Sequence, residues 1–178
     1  RSITTKSEEA ETWFNRGLNW CYAFHHKEAI RCFTKTIELD PSCVMGYWGV
    51  AYATGPYYNI PWETMSPSGR PAAIRICYEY SQKAKELRET TPLLEVEKVL
   101  CDALAVRFQA NKANEIEELK KWDDDYADAM RLVYRDFSDD YDVCALTAEA
   151  LVVRTPWQLW DLKNRTPAEG TFTEEAIE

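Results

Sequence analysis

Across 178 residues the chain carries 30 acidic and 21 basic side chains, a formal net charge of −9, and no clustered basic face able to displace counterions from a phosphate backbone. This excludes nucleic acid as a partner. A membrane span is excluded as well, because charges or prolines interrupt every apolar run within about ten residues, where roughly 20 are needed. Six cysteines without a CxxC spacing read as buried reduced thiols of a cytoplasmic protein, and no metal or cofactor is expected.

The first helix opens at Ser7, a capping residue followed by Glu8 and Glu9, which complement the positive end of the helix dipole. Ala10, Trp13, Phe14, Gly17, Leu18 and Cys21 then recur at the spacing of one helical face. A second helix repeats the pattern with Ala29, Ile30, Phe33 and Ile37. Asp40-Pro41 ends it and is placed to start a third, whose face carries Val44, Tyr47, Trp48, Ala51 and Tyr52. After Gly55 the chain inserts GPYYNIPWETMSPSGRP, rich in aromatics and prolines, before a fourth helix from about Ala72 to Leu87. Thr91-Pro92 opens a fifth, apolar on more than half its circumference and therefore expected to be covered on two sides.

The residues from Asn111 to Asn114 form a polar turn. A sixth helix follows from about Glu115 to Arg135, and a seventh uses Val143, Leu146, Thr147, Ala150 and Leu151. At Thr155-Pro156 a second insert begins, TPWQLWDLKNRTPAEGTF. Thr171 and Glu174 are spaced as a capping box for an eighth, incomplete helix. No window reads as a strand.

Trp13, Gly17, Trp20, Ala29, Phe33 and Pro41 stand in the order and spacing of a tetratricopeptide repeat, a helix hairpin of about 34 residues. Arg16 and Thr36 stand where that family carries Leu and Ala. The resemblance implies an all-α, right-handed α-solenoid of helix hairpins with two aromatic, Pro-rich inserts. Its expected units are repeat 1 over about 8–40, repeat 2 over about 41–89 with the insert 55–71, a helix pair over about 91–136, a helix over about 140–153, the insert 154–172 and a helix start at 173–178. The GPYYN stretch also resembles a GPxYN loop of larger bacterial and fungal tetratricopeptide-like proteins. On that resemblance the sequence is expected to be the N-terminal part of a longer protein, and no site residue carries over from it.

In the repeat family, peptides lie along the concave face, touched by the second, fifth, ninth and twelfth residues of each first helix. These positions hold Glu11, Phe14, Leu18 and Cys21 in the first repeat, and Met45, Trp48, Tyr52 and Gly55 in the second. The Lys and Asn that clamp a C-terminal carboxylate in chaperone-binding members are absent. An open groove of Phe14, Leu18, Cys21, Met45, Trp48 and Tyr52 would be a large apolar patch that needs covering. Its expected occupant is a polypeptide, from another protein or from the remainder of a longer chain, or else an apolar small molecule. The plain alternative is that curvature makes these residues core. Tyr57, Tyr58, Trp62, Trp157 and Trp160, from the two inserts, are expected to meet as a lid over one rim.

Chemistry beyond this is not marked. His25 and His26 read as a solvated turn, and Asp123, Asp124, Asp125 and Asp128 as a solvated helix face. The run Asp139, Asp140 and Asp142 reads as a helix N-terminus. Glu95, Glu97 and Asp102 read as ordinary surface residues, so no catalytic residue is assigned and no metal site is expected. Two functions remain open: an interaction scaffold, or one wall of an enzyme or small-molecule pocket completed by residues absent from this chain.

Overall fold

The computed structural model describes residues 1–113 and 115–178, so the turn expected at 111–114 lies partly outside the described residues. Through them run α1 (Glu8–Tyr22), α2 (His26–Leu39), α3 (Val44–Thr54), α4 (Gly69–Arg88), α5 (Glu95–Arg107), α6 (Ile116–Asp136), α7 (Tyr141–Val152) and the short α8 (Thr173–Ile177). Each helix packs on the next, and α3 also packs on both α1 and α5. The result is an all-α solenoid with consecutive helix packing.

The helix ends follow local chemistry. Ser7 Oγ accepts from the Ala10 amide at 3.2 Å, and Asp140 Oδ1 accepts from Asp142 and Val143 at the start of α7. Pro41 occupies the turn before α3 rather than its first turn, and Cys43 is the flanking residue. Pro71 lies inside the first turn of α4, which starts at Gly69; amides there have no intrahelical partner for a proline to remove. The expected capping box at α8 does not form: Thr171 Oγ1 donates to the Ala168 carbonyl, and Phe172 takes the flanking position.

Close packing of the first three helices rests on Phe33. A Cβ on Gly17 would stand 2.5 Å from its ring, and one on Gly49 2.4 Å, so α1 and α3 clamp the ring between two glycines. The family's usual Ala is replaced by Thr36, which is wholly buried and satisfied: its hydroxyl lies 3.1 Å from the Cys32 carbonyl and 3.4 Å from that of Ala10. Further along, α3 is buried on nearly every side, and Trp48 stacks on Tyr52 while donating its indole N–H to the Leu100 carbonyl at 3.1 Å. Burying side chains of this size contributes on the order of 1.5–3 kcal/mol each.

The second insert holds a small antiparallel ladder, β1 (Trp160–Asp161) against β2 (Thr166–Pro167), which the sequence reading missed because two-residue strands carry no periodicity. All six cysteines are free, and five of them are buried.

Candidate functional site

The odd-numbered helices form the inner layer, and they close on one another. Tyr22, at the end of α1, donates its hydroxyl to Asp142 at the start of α7 at 2.5 Å. Phe14, Leu18, Cys21, Met45, Trp48 and Tyr52 are each no more than 5 % exposed and share one core with Leu100, Leu104, Val143, Leu146 and Ala150. These six residues belong to the core and do not line an open apolar groove. Side chains of α5 and α7 share that core, and the Tyr22–Asp142 hydrogen bond links the end of α1 to the start of α7.

The remaining strip is filled by residues 1–6. Ile3 is buried, and its amide donates to Glu11 Oε2 at 3.2 Å. Thr4 donates its amide to Glu97 Oε1 at 2.7 Å and its hydroxyl to Glu97 Oε2 at 2.6 Å. Thr5 Oγ1 and the Lys6 amide both reach Asp40 Oδ2, at 2.7 and 2.8 Å. At the other end the Arg1 guanidinium binds Asp140 at 2.8 Å and lies 3.6 Å from Asp142, while the Arg1 carbonyl accepts from Asn15 at 3.0 Å. This segment thus runs across the inner layer, from the α2–α3 turn past α1 and α5 to the start of α7. Its backbone amides are taken up by carboxylates rather than by a neighbouring strand.

One of those carboxylates overturns its sequence reading. Glu97 is fully buried rather than an ordinary surface residue, and its Oε2 also accepts from the Leu94 amide at 3.0 Å. At Asp40 burial opposes ionisation, but donors from Ser42, the Lys6 amide and Thr5 outweigh it and hold the carboxyl down at about 2. The run of β-branched residues at Ile3, Thr4 and Thr5 is the one signal in the sequence for an extended segment here. Nothing comparable marks Glu11 or Glu97.

Beside this strip, on the far side of Cys21 and Tyr52, lies a buried polar cluster. Arg107, wholly buried, donates to Asp123 at 2.9 Å and to the Pro56 carbonyl at 3.0 Å, with its guanidinium carbon 4.7 Å from the centre of the Tyr126 ring. Asp123 is therefore the buried partner of an arginine and not part of a solvated face. Its acidic neighbours do lie outward, Asp124 paired with Arg154, Asp125 with Lys121 and Asp128 with Arg131. Arg107 Nη1, the Tyr126 hydroxyl and both carboxylate oxygens of Glu149 are buried without hydrogen-bond partners. The Tyr58 amide faces Glu149 but leaves both oxygens outside hydrogen-bonding geometry. Burial drives the Glu149 carboxyl up to about 7, with Arg107 opposing and Asp123 reinforcing the rise.

The two inserts meet beside this cluster. Tyr58 Oη accepts from the Trp157 amide at 3.0 Å, and the two rings pack edge to face with centroids 6.2 Å apart. Trp157 takes a left-handed φ of 61° at this contact. Tyr57 stacks on His26, with ring centroids 3.7 Å apart. Trp62 lies deep in the core, edge-on to Phe108, rather than at a rim. Trp160, half exposed, stands apart in the β1–β2 ladder. The histidines also depart from the solvated-turn reading: His25 caps α2, but His26 is buried and its Nδ1 lies 3.1 Å from the Ala53 carbonyl. That burial lowers its pKa to about 4, with the hydrogen bond to the Ala53 carbonyl opposing and Arg107 assisting.

Among the described residues no group of histidine, cysteine and carboxylate side chains is placed to hold a metal ion, and no helix is long and apolar enough to cross a membrane. Comparison with known proteins places residues 10–43 in the family model of the tetratricopeptide repeat. No curated protein and no solved structure matches the chain. The matched stretch is the α1–α2 hairpin, which supplies Glu11, Asn15 and Asp40 to the inner strip and supports a tetratricopeptide-repeat reading of that hairpin.

Proposed function

We propose that this helical-repeat scaffold for protein–protein interaction holds polypeptide on its inner face, along the strip formed by α1, α5 and the start of α7. The observation that carries this reading is the extended segment 1–6 lying there, its backbone bound by Glu11, Asp40 and Glu97. Main-chain capture suits an extended guest of variable sequence, and side-chain pockets add selectivity. A photocrosslinking side chain placed at Tyr22, on the inner layer, is expected to label bound peptides from a random library. The same group at Tyr134, on the outer layer, is the comparison. Equal labelling from both positions would refute the assignment of the inner face.

The cluster under Tyr58 and Trp157 supports a second reading, a pocket wall for a small molecule. Its supporting observation is the set of buried, unpartnered groups on Arg107, Tyr126 and Glu149. A panel of small organic molecules screened by thermal shift is expected to include one that raises the Tm of the wild type but not that of Glu149→Gln. Shifts of equal size in both proteins would reject this reading.

A further inference from the structure

The inner strip cannot be left empty without consequence. Glu97 is fully buried, and three donors satisfy it: the Thr4 amide, the Thr4 hydroxyl and the Leu94 amide. Withdrawal of residues 1–6 leaves a buried carboxylate with only the last of these, and uncovers the apolar seat of Ile3. A buried acceptor stripped of its donors is costly. Release of the segment therefore demands a replacement that offers the same groups in the same order.

That order can be read from the contacts. The carboxylates of Asp140 and Asp142 take a guanidinium at the first position. An apolar seat takes the aliphatic side chain of Ile3, two residues on. Glu97 takes an amide and a hydroxyl together from the next residue, and Asp40 takes a hydroxyl and an amide from the two after it. Apart from the apolar seat, the groups that select the guest, Asp140, Asp142, Glu97 and Asp40, are all acidic, which favours a basic guest and disfavours an acidic one.

Resting on the inner-face reading above, we propose that residues 1–6 are a resident ligand, and that the strip accepts in trans an extended peptide of the pattern basic, any, aliphatic, hydroxyl, hydroxyl. Binding of such a partner displaces the resident segment. The tether gives that segment an effective concentration on the order of millimolar, so it acts as an autoinhibitory competitor.

The test uses all 178 residues. The double variant Ile3→Asp, Thr4→Pro expels the resident segment by placing a charge in the apolar seat and removing both Thr4 donors to Glu97. A fluorescein-labelled peptide with the sequence of residues 1–7 is titrated into wild type and variant and followed by anisotropy. The variant is expected to bind at least roughly tenfold more tightly than wild type, because the tethered competitor is gone. Replacing the Thr4 equivalent of the peptide by Val is expected to weaken binding roughly tenfold, the loss of one hydrogen bond to a charged group. A folded variant that binds peptides lacking the pattern equally well overturns the proposal and leaves the inner-face reading standing. A folded variant that binds no peptide overturns both. Should the variant not fold, hydrogen exchange on the wild type decides: millimolar unlabelled peptide is expected to speed exchange at the Ile3, Thr4 and Lys6 amides at least tenfold, and unchanged exchange overturns the proposal.

Discussion

Thr4 gives both its backbone amide and its hydroxyl to the two oxygens of Glu97, 93 residues away in sequence, at 2.7 and 2.6 Å. One residue of the extended segment 1–6 thereby satisfies a carboxylate that α5 carries into the interior. The segment is thus part of the fold's polar accounting as well as a cover for its apolar core.

Thr4→Val retains the shape and the amide donor but removes the hydroxyl. A lost hydrogen bond to a buried charged group costs about 1.5–3 kcal/mol, and in a chain of this size each kcal/mol shifts Tm by about 2–4 °C. Thermal unfolding should show that drop. In a double-mutant cycle with Glu97→Gln the two losses should be strongly non-additive; additive losses would mean that the two side chains do not act together.

Gly49→Ala tests the clamp on Phe33. The added methyl would stand 2.4 Å from a buried ring already held by Gly17 on the opposite helix, so neither side can yield easily. Overpacking of this kind costs about 1–3 kcal/mol. Urea unfolding should show a lower midpoint for Gly49→Ala, whereas Gly170→Ala, with open space around its Cβ position but a positive φ of 78°, should lose only about 1 kcal/mol from backbone strain.

Arg107 and Asp123 form a buried pair in which each leaves the other unpaired if removed. Arg107→Leu should cost about 3–5 kcal/mol, since Asp123 would then be a lone buried carboxylate. Combining it with Asp123→Leu should recover much of that loss, measured by chemical denaturation. If the double variant is no more stable than Arg107→Leu alone, the Pro56 carbonyl and the Tyr126 ring matter more to Arg107 than its ion pair does.

Stability should show a nearly flat dependence on pH between about 4.5 and 6.5 that conceals two opposing slopes. His26 is held down at about 4 against an ordinary 6.5, so the unfolded state takes up the proton first and stability is lost as pH falls through that interval. Glu149 is held up at about 7 against an ordinary 4.5, so the folded state keeps the proton and stability is lost as pH rises from 4.5 to 7. Each shift corresponds to about 3 kcal/mol at most. Glu149→Gln should uncover a stability that climbs from pH 4 to 6.5, and His26→Gln one that declines from pH 4.5 to 7. Urea titrations across this range check both, and a Glu149→Gln profile parallel to the wild type would show that this carboxyl is not held in its neutral form.

What could be read from the residues alone was whatever depends on local periodicity and local capping. The stripe from Ala10 to Cys21, the Gly17 and Phe33 landmarks and the Ser7 cap were enough for the helix hairpin, because a 3.6-residue repeat of apolar side chains has few other ways to bury itself. That Phe14, Leu18, Trp48 and Tyr52 share an apolar face was legible in the same way. Whether that face stood open was not: it depended on how far the solenoid curves, which is fixed by packing between helices distant in sequence. Only the tertiary structure brings Tyr22 to Asp142, Thr4 to Glu97 and Tyr58 to Trp157. Burial of Asp123, Glu97 and His26 was likewise invisible, since a charged or polar residue enters a core only when a partner arrives from elsewhere in the chain, and Arg107, Thr4 and Ala53 are those partners.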